Sequence, residues 1–87
     1  MSDYVEARYV KSVLERARSS EQDEALELVN GLLRDLSSLE SLSDTGTQTL
    51  TSIRLLALGL VRDRPIHASE WDTVNKAADA WCQSALT

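Results

Sequence analysis

The 87 residues are 43% hydrophobic and 26% charged, carry a formal net charge of −5, and include one cysteine, one histidine, one proline and no phenylalanine. A chain of this length makes one domain that buries roughly 60–65% of its unfolded surface, which holds its stability to about 4–13 kcal/mol and leaves little room for a deep active site. A pI near 4.7 argues against a phosphate-neutralising surface for nucleic acid, while fourteen Leu, six Val and two Ile are too many for a disordered chain.

The first predicted helix covers residues 4–18. Val10, Val13, Leu14 and Ala17 fall within an arc of about 100°, with Val5 and Tyr9 earlier in the same segment, and Arg8, Lys11, Glu15 and Arg18 lie off the stripe. Ser19 and Ser20 interrupt it. Either serine is a candidate N-cap for the next helix, with Gln22 or Asp23 as its capping-box partner. So short a break implies an antiparallel hairpin or a bend in one longer helix.

The second predicted helix, about residues 21–42, has the strongest periodicity. Ala25, Val29, Leu32, Leu36 and Leu39 follow the four-three spacing of helix-on-helix packing. Leu26, Leu28 and Leu33 widen that seam to about 160°, which implies two neighbours at once. Gly31 sits in the middle at a propensity cost of about 1 kcal/mol; a close helix crossing is the one function it suggests. Ser37, Ser38, Ser41 and Ser43 weaken the helical pattern after Leu39.

Asp44-Thr45-Gly46-Thr47 reads as a loop, and Thr45 with Gln48 forms a Thr-x-x-Gln capping box that starts a third helix near Gly46, running to about Arg62. Its main stripe is Leu50, Ile53, Leu56, Ala57, Leu60 and Val61. Leu55 and Leu58 lie about 80–140° round from Leu50, close to Arg54, Arg62 and Gly59, where the core does not need them. Asp63-Arg64-Pro65 stops the helix. Ser69, followed by Glu70 and Asp72, caps a fourth helix over 69–86. Trp71, Val74, Ala78, Trp81, Cys82 and Ala85 share one face of about 100°, opposite Asp72, Asn75, Lys76, Asp79 and Gln83. The two tryptophans on that face supply core bulk in a chain without phenylalanine.

These elements predict an all-α fold: a compact four-helix bundle, or three helices plus a short one, forming a single domain over residues 1–87 and completed by dimerisation. No internal repeat and no domain linker interrupts it.

Charge is unevenly distributed. Residues 1–18 carry +1, 19–44 carry −6, 45–67 carry +2 and 68–87 carry −2. The acidic stretch sets Glu21, Asp23, Glu24, Glu27, Asp35, Glu40 and Asp44 against Arg34 alone. Part of this is explained by the favourable interaction of carboxylates with the positive end of a helix.

Catalytic chemistry finds no foothold. His67 and Cys82 are single residues fifteen positions apart, without the third group that a nucleophilic pair needs. One cysteine and one histidine cannot assemble a zinc set, and no calcium loop is present, so no metal and no cofactor is expected. Asp23/Glu27 and Glu24/Glu27 pair on a polar helix face rather than in a pocket that would shift their pKa. Gly31, Gly46 and Gly59 form no phosphate-cradling loop. The last helix offers Lys76 among three acids, a poor reader of DNA bases. The longest apolar run, Leu55 to Val61, is far short of the roughly 20 residues of a membrane span. A lone cysteine, with no secretory pattern at the start of the chain, fits a reducing cytoplasm.

Two functions fit this pattern. The first is a small non-enzymatic interaction or regulatory protein that works through exposed apolar helix surface at Leu55 and Leu58, flanked by Arg54 and Arg62, as a homodimer or on a larger protein partner. The second is an acidic inhibitor, a decoy of the phage anti-defence or anti-CRISPR kind, whose Glu21, Asp23, Glu24 and Glu27 occupy a basic nucleic-acid groove on a host protein.

Overall fold

Four apolar stripes at helical spacing can be buried only on one another, and the computed structural model arranges them as α1 (Tyr4–Arg18), α2 (Gln22–Ser37), α3 (Asp44–Val61) and α4 (Ala68–Leu86). The structure describes residues 4–39, 42–62 and 65–86, among which there is no strand; Glu40, Ser41, Asp63 and Arg64 lie outside the described residues. α1 packs on α2 and α4, and α3 packs on the same two helices, so the four form a ring in chain order that closes between α4 and α1.

Neighbours run antiparallel. Lys11 pairs with Asp79 at 2.6 Å and Arg18 with Asp72 at 3.0 Å, so seven residues forward on α1 are seven residues back on α4. On the other side of α4, Thr49 bonds the Ala77 carbonyl while Gly46 lies against Trp81, which gives the same reversal. The Cα radius of gyration is 12.1 Å, matching the roughly 12 Å of a folded domain of this length.

Each helix contributes four buried apolar residues to one core: Ala7, Val10, Leu14 and Ala17; Ala25, Val29, Leu32 and Leu36; Ile53, Leu56, Ala57 and Leu60; Trp71, Val74, Ala78 and Trp81. The wide seam of α2 does meet two helices, with Leu26, Leu28 and Leu33 half-buried at its flanks. Cys82 is half-buried at the edge of the core rather than inside it.

Helix boundaries differ from expectation where a serine or threonine had a choice of partners. Ser19 and Ser20 do not cap α2. Their hydroxyls donate back to the Glu15 and Arg16 carbonyls at 3.4 and 2.7 Å and so finish α1, leaving Glu21 as an N-cap without a side-chain bond. α2 stops at Ser37 rather than 42, because the Ser38 N–H turns back to the Asp35 carbonyl and the Leu39 N–H to the Leu36 carbonyl, three residues behind instead of four. α3 starts at Asp44, earlier than predicted: Ser43 Oγ, not Thr45, accepts the Gly46 N–H at 3.2 Å. α4 starts at Ala68, with His67 in the cap position. The His67 N–H is taken by Glu70 Oε2 at 2.9 Å, and Ser69 lies inside the helix.

Two glycines have opposite surroundings. A Cβ at Gly31 would meet nothing within 4 Å, so no close crossing occurs there. A Cβ at Gly46 would lie 3.0–3.1 Å from the Trp81 indole, which is fully buried. Beside it, the buried Thr49 hydroxyl shares its proton between the Thr45 carbonyl (2.8 Å) of its own helix and the Ala77 carbonyl (3.0 Å) of α4. Asn75, expected on the outer face of α4, instead buries its Oδ1 with no hydrogen-bond partner among the described residues.

Gly31→Ala is therefore expected to raise the unfolding free energy by about 1 kcal/mol, and Gly46→Ala to lower it, since overpacking of about 1–3 kcal/mol outweighs the same propensity gain. Urea denaturation followed by tryptophan fluorescence reads both signs, and a Gly46→Ala protein as stable as Gly31→Ala would refute the close contact. Asn75→Leu removes a buried, unsatisfied carbonyl whose desolvation costs about 1–3 kcal/mol. A higher melting temperature is expected; a lower one would show that the carbonyl has a partner.

Candidate interaction surface

α3 is apolar on more than one side, and the ring can bury only one of them. Ile53, Leu56 and Leu60 face the core, while Leu55, Leu58 and Val61 remain 64%, 53% and 63% exposed. At 100° per residue Leu58 points directly away from the core, with Leu55 displaced towards α4 and Val61 towards α2. The sequence placed Leu55 and Leu58 correctly off the buried stripe but put Val61 on it. Val61 is the last residue of the helix and lies 100° past the buried Leu60, which carries it out of the core. Gly59, expected beside the exposed leucines, is buried on the inner side.

Arg54 and Arg62 are exposed on the same outer surface, and α3 carries no carboxylate after Asp44. Towards α4, Leu55 joins Ser52, Leu56, Glu70, Thr73 and Val74 around a shallow, mainly apolar cleft of about 160 Å³. The α4 contribution to this cleft was invisible in the sequence, because it depends on the register of two helices that are separate in the chain. Val5, Tyr9 and Leu86 are also exposed, but they belong to α1 and to the end of α4 and are not part of the α3 face.

Glu21, Asp23, Glu24 and Glu27 are all exposed and surround the half-buried Leu26 at the start of α2. Among the described residues, none of the four is in an ion pair. Asp23 and Glu24 occupy the first turn, where the unsatisfied N–H groups favour negative charge. This acidic half of α2 and the C-terminal half of α3 lie at the same end of the bundle, since Ala25 and Leu60 line one cleft with Trp71.

His67 is exposed at the cap of α4, and Cys82 is fifteen residues further along the same helix, about 22 Å away at the helical rise. The two cannot act as one pair. Cys82 lines a separate hollow with Tyr4, Arg8, Lys11, Ser12, Glu15 and Leu86. There the hydrogen bond and charge of Asp79 raise the Lys11 pKa above its ordinary 10.5. That contact supports the fold below pH 10.5 and is lost only as pH climbs through the raised value, so it is constant near neutrality. Among the described residues, no group of three His, Cys, Asp or Glu side chains is placed to hold a metal ion, and no helix is long and apolar enough to cross a membrane. Comparison with protein-family models, curated proteins and solved structures finds no match for this chain.

If Asp23 and Glu24 act through the helix terminus, Asp23→Asn with Glu24→Gln should lower stability by about 0.3–1 kcal/mol per charge, and less in high salt. Thermal melts at low and high ionic strength check this. Unchanged stability at low salt would remove the structural explanation for these two acids.

Proposed function

We propose that this chain is a small non-enzymatic interaction and regulatory protein of the reducing cytoplasm, whose working surface is the outer face of α3 and which associates as a homodimer. The observation that carries this is the run of Leu55, Leu58 and Val61, each more than half exposed on one helix. Isolated surface aliphatics are ordinary, but three at i, i+3 and i+6 beside an apolar cleft make a continuous patch, and such patches mark association sites. A small domain also gains more from a partner than a large one, because it buries a smaller share of its own surface.

The role of Arg54 and Arg62 in this reading is to border the apolar patch. Charged residues at an interface rim contribute less to affinity than to orientation and to the choice of partner.

An acidic decoy is the second reading, supported by the four exposed carboxylates at the start of α2 that lack ion-pair partners among the described residues. It places the working surface on α2, and its partner would be a basic nucleic-acid groove on a host protein. Such binding would be strongly salt-dependent and indifferent to α3.

Light scattering over a range of concentrations separates the two. The first reading expects a concentration-dependent dimer that Leu58→Glu abolishes while the helical circular dichroism of the dilute protein stays unchanged. A protein that remains monomeric at high concentration, or a dimer indifferent to Leu58→Glu, would overturn the homodimer.

A further inference from the structure

We infer that the occupant of the α3 face is the acidic N-terminal half of α2 from a second copy of this chain, in a closed dimer whose twofold axis runs parallel to the bundle between α2 and α3. This rests on the α3 face being an association surface and adds what it meets.

The chain carries −5 overall, so two copies repel wherever their acidic surfaces approach. The α3 face is the exception: Leu55, Leu58 and Val61 are flanked by Arg54 and Arg62, with no carboxylate on the helix after Asp44. A self-packed pair of α3 helices crossing at Leu58 would set Arg54 of one copy against Arg62 of the other, with no carboxylate from either α3 helix between them. The complement of an apolar and basic helix face is an apolar and acidic one. Asp23, Leu26 and Glu27 on α2 have that composition.

Ala25 of α2 and Leu60 of α3 line one cleft at one end of the bundle, so the acidic half of α2 and the C-terminal half of α3 sit at the same height. A twofold parallel to the bundle axis preserves height and exchanges left for right. It lays α2 of the second copy over α3 of the first, and at the same time α3 of the second over α2 of the first. Both contacts form together and the assembly closes. Arg62 then lies level with Asp23 of the other copy, while Arg54, two turns further along α3, reaches back about one turn towards Glu27.

Size agrees. The molecule exposes 5659 Å², and a stable interface takes about 800 Å² from each partner. The bundle is 37 Å long and 24 Å across its broad face, so an interface of that size needs two helices side by side, which α2 and α3 supply.

The test is charge reversal, with dimerisation measured by sedimentation equilibrium and folding by circular dichroism. Four proteins are compared: wild type, Arg54→Glu with Arg62→Glu, Asp23→Lys with Glu27→Lys, and the variant carrying all four changes. The expected result is a salt-weakened wild-type dimer, a loss of at least tenfold in affinity for either reversed pair, and recovery when both are combined. A dimer broken by Leu58→Glu but indifferent to the charge reversals, or reversals that weaken it without recovery in the combined variant, overturns the α2 pairing and leaves α3 as the association surface. A monomeric wild type overturns both and leaves the face to a foreign partner.

Discussion

The Trp81 indole is fully buried where α4 crosses the beginning of α3, and it fits there because Gly46 presents no side chain to it. A core built without phenylalanine depends on its few large rings for volume, so the seat of this ring sets how closely α3 and α4 approach. Thr49, one turn beyond Gly46, fixes the same approach through its hydrogen bond to the Ala77 carbonyl. With α3 seated on α4 in that rotation, Ile53, Leu56 and Leu60 point inward. Leu55, Leu58 and Val61 have nowhere to go but out.

A ring of four helices gives each helix two neighbours, and two neighbours cover one broad stripe. α2 is suited to this, with its apolar residues gathered in one arc and its charges outside it. α3 is not. Its segment from Leu55 to Val61 is apolar around the helix, so burying one side leaves another in water, at an unfavourable cost of about 25 cal/mol per Å² of apolar surface left exposed. Nothing in the monomer requires that cost: a polar residue at Leu58 would leave the core as it is. An apolar residue exposed where the fold does not use it is the physical basis of the proposal that this face associates.

The charges follow a similar division. Asp72 and Asp79 on α4 reach Arg18 and Lys11 on α1 and so join the two ends of the ring, but as exposed pairs they orient more than they stabilise. Among the described residues, the carboxylates at the start of α2 make no such pairs. Their position at a helix N-terminus accounts for Asp23 and Glu24 through the dipole, whereas Glu27, one turn further in, gains little from it. Its use is better sought outside the monomer.

The sequence by itself determined the four helices, most of the inward residues, with Ala7 passed over and Val61 wrongly placed among them, the burial of both tryptophans and the exposure of Leu55 and Leu58, because helical periodicity is a local property that survives any packing order. It also located the acidic stretch, since charge along the chain needs no fold to be counted. Only the tertiary structure decided which cap each serine serves: Ser19 and Ser20 turned back to α1 and Ser43 took the start of α3, a choice between hydrogen bonds of similar strength that chain direction at the turn settles. Gly31 and Gly46 likewise read alike in the sequence and differ completely in space, because only the packing put an indole beside one of them. The cleft between α3 and α4 and the shared height of the acid on α2 and the arginines on α3 came from the register between helices. That register is set by side chains far apart in the chain, and no pattern within a single helix records it.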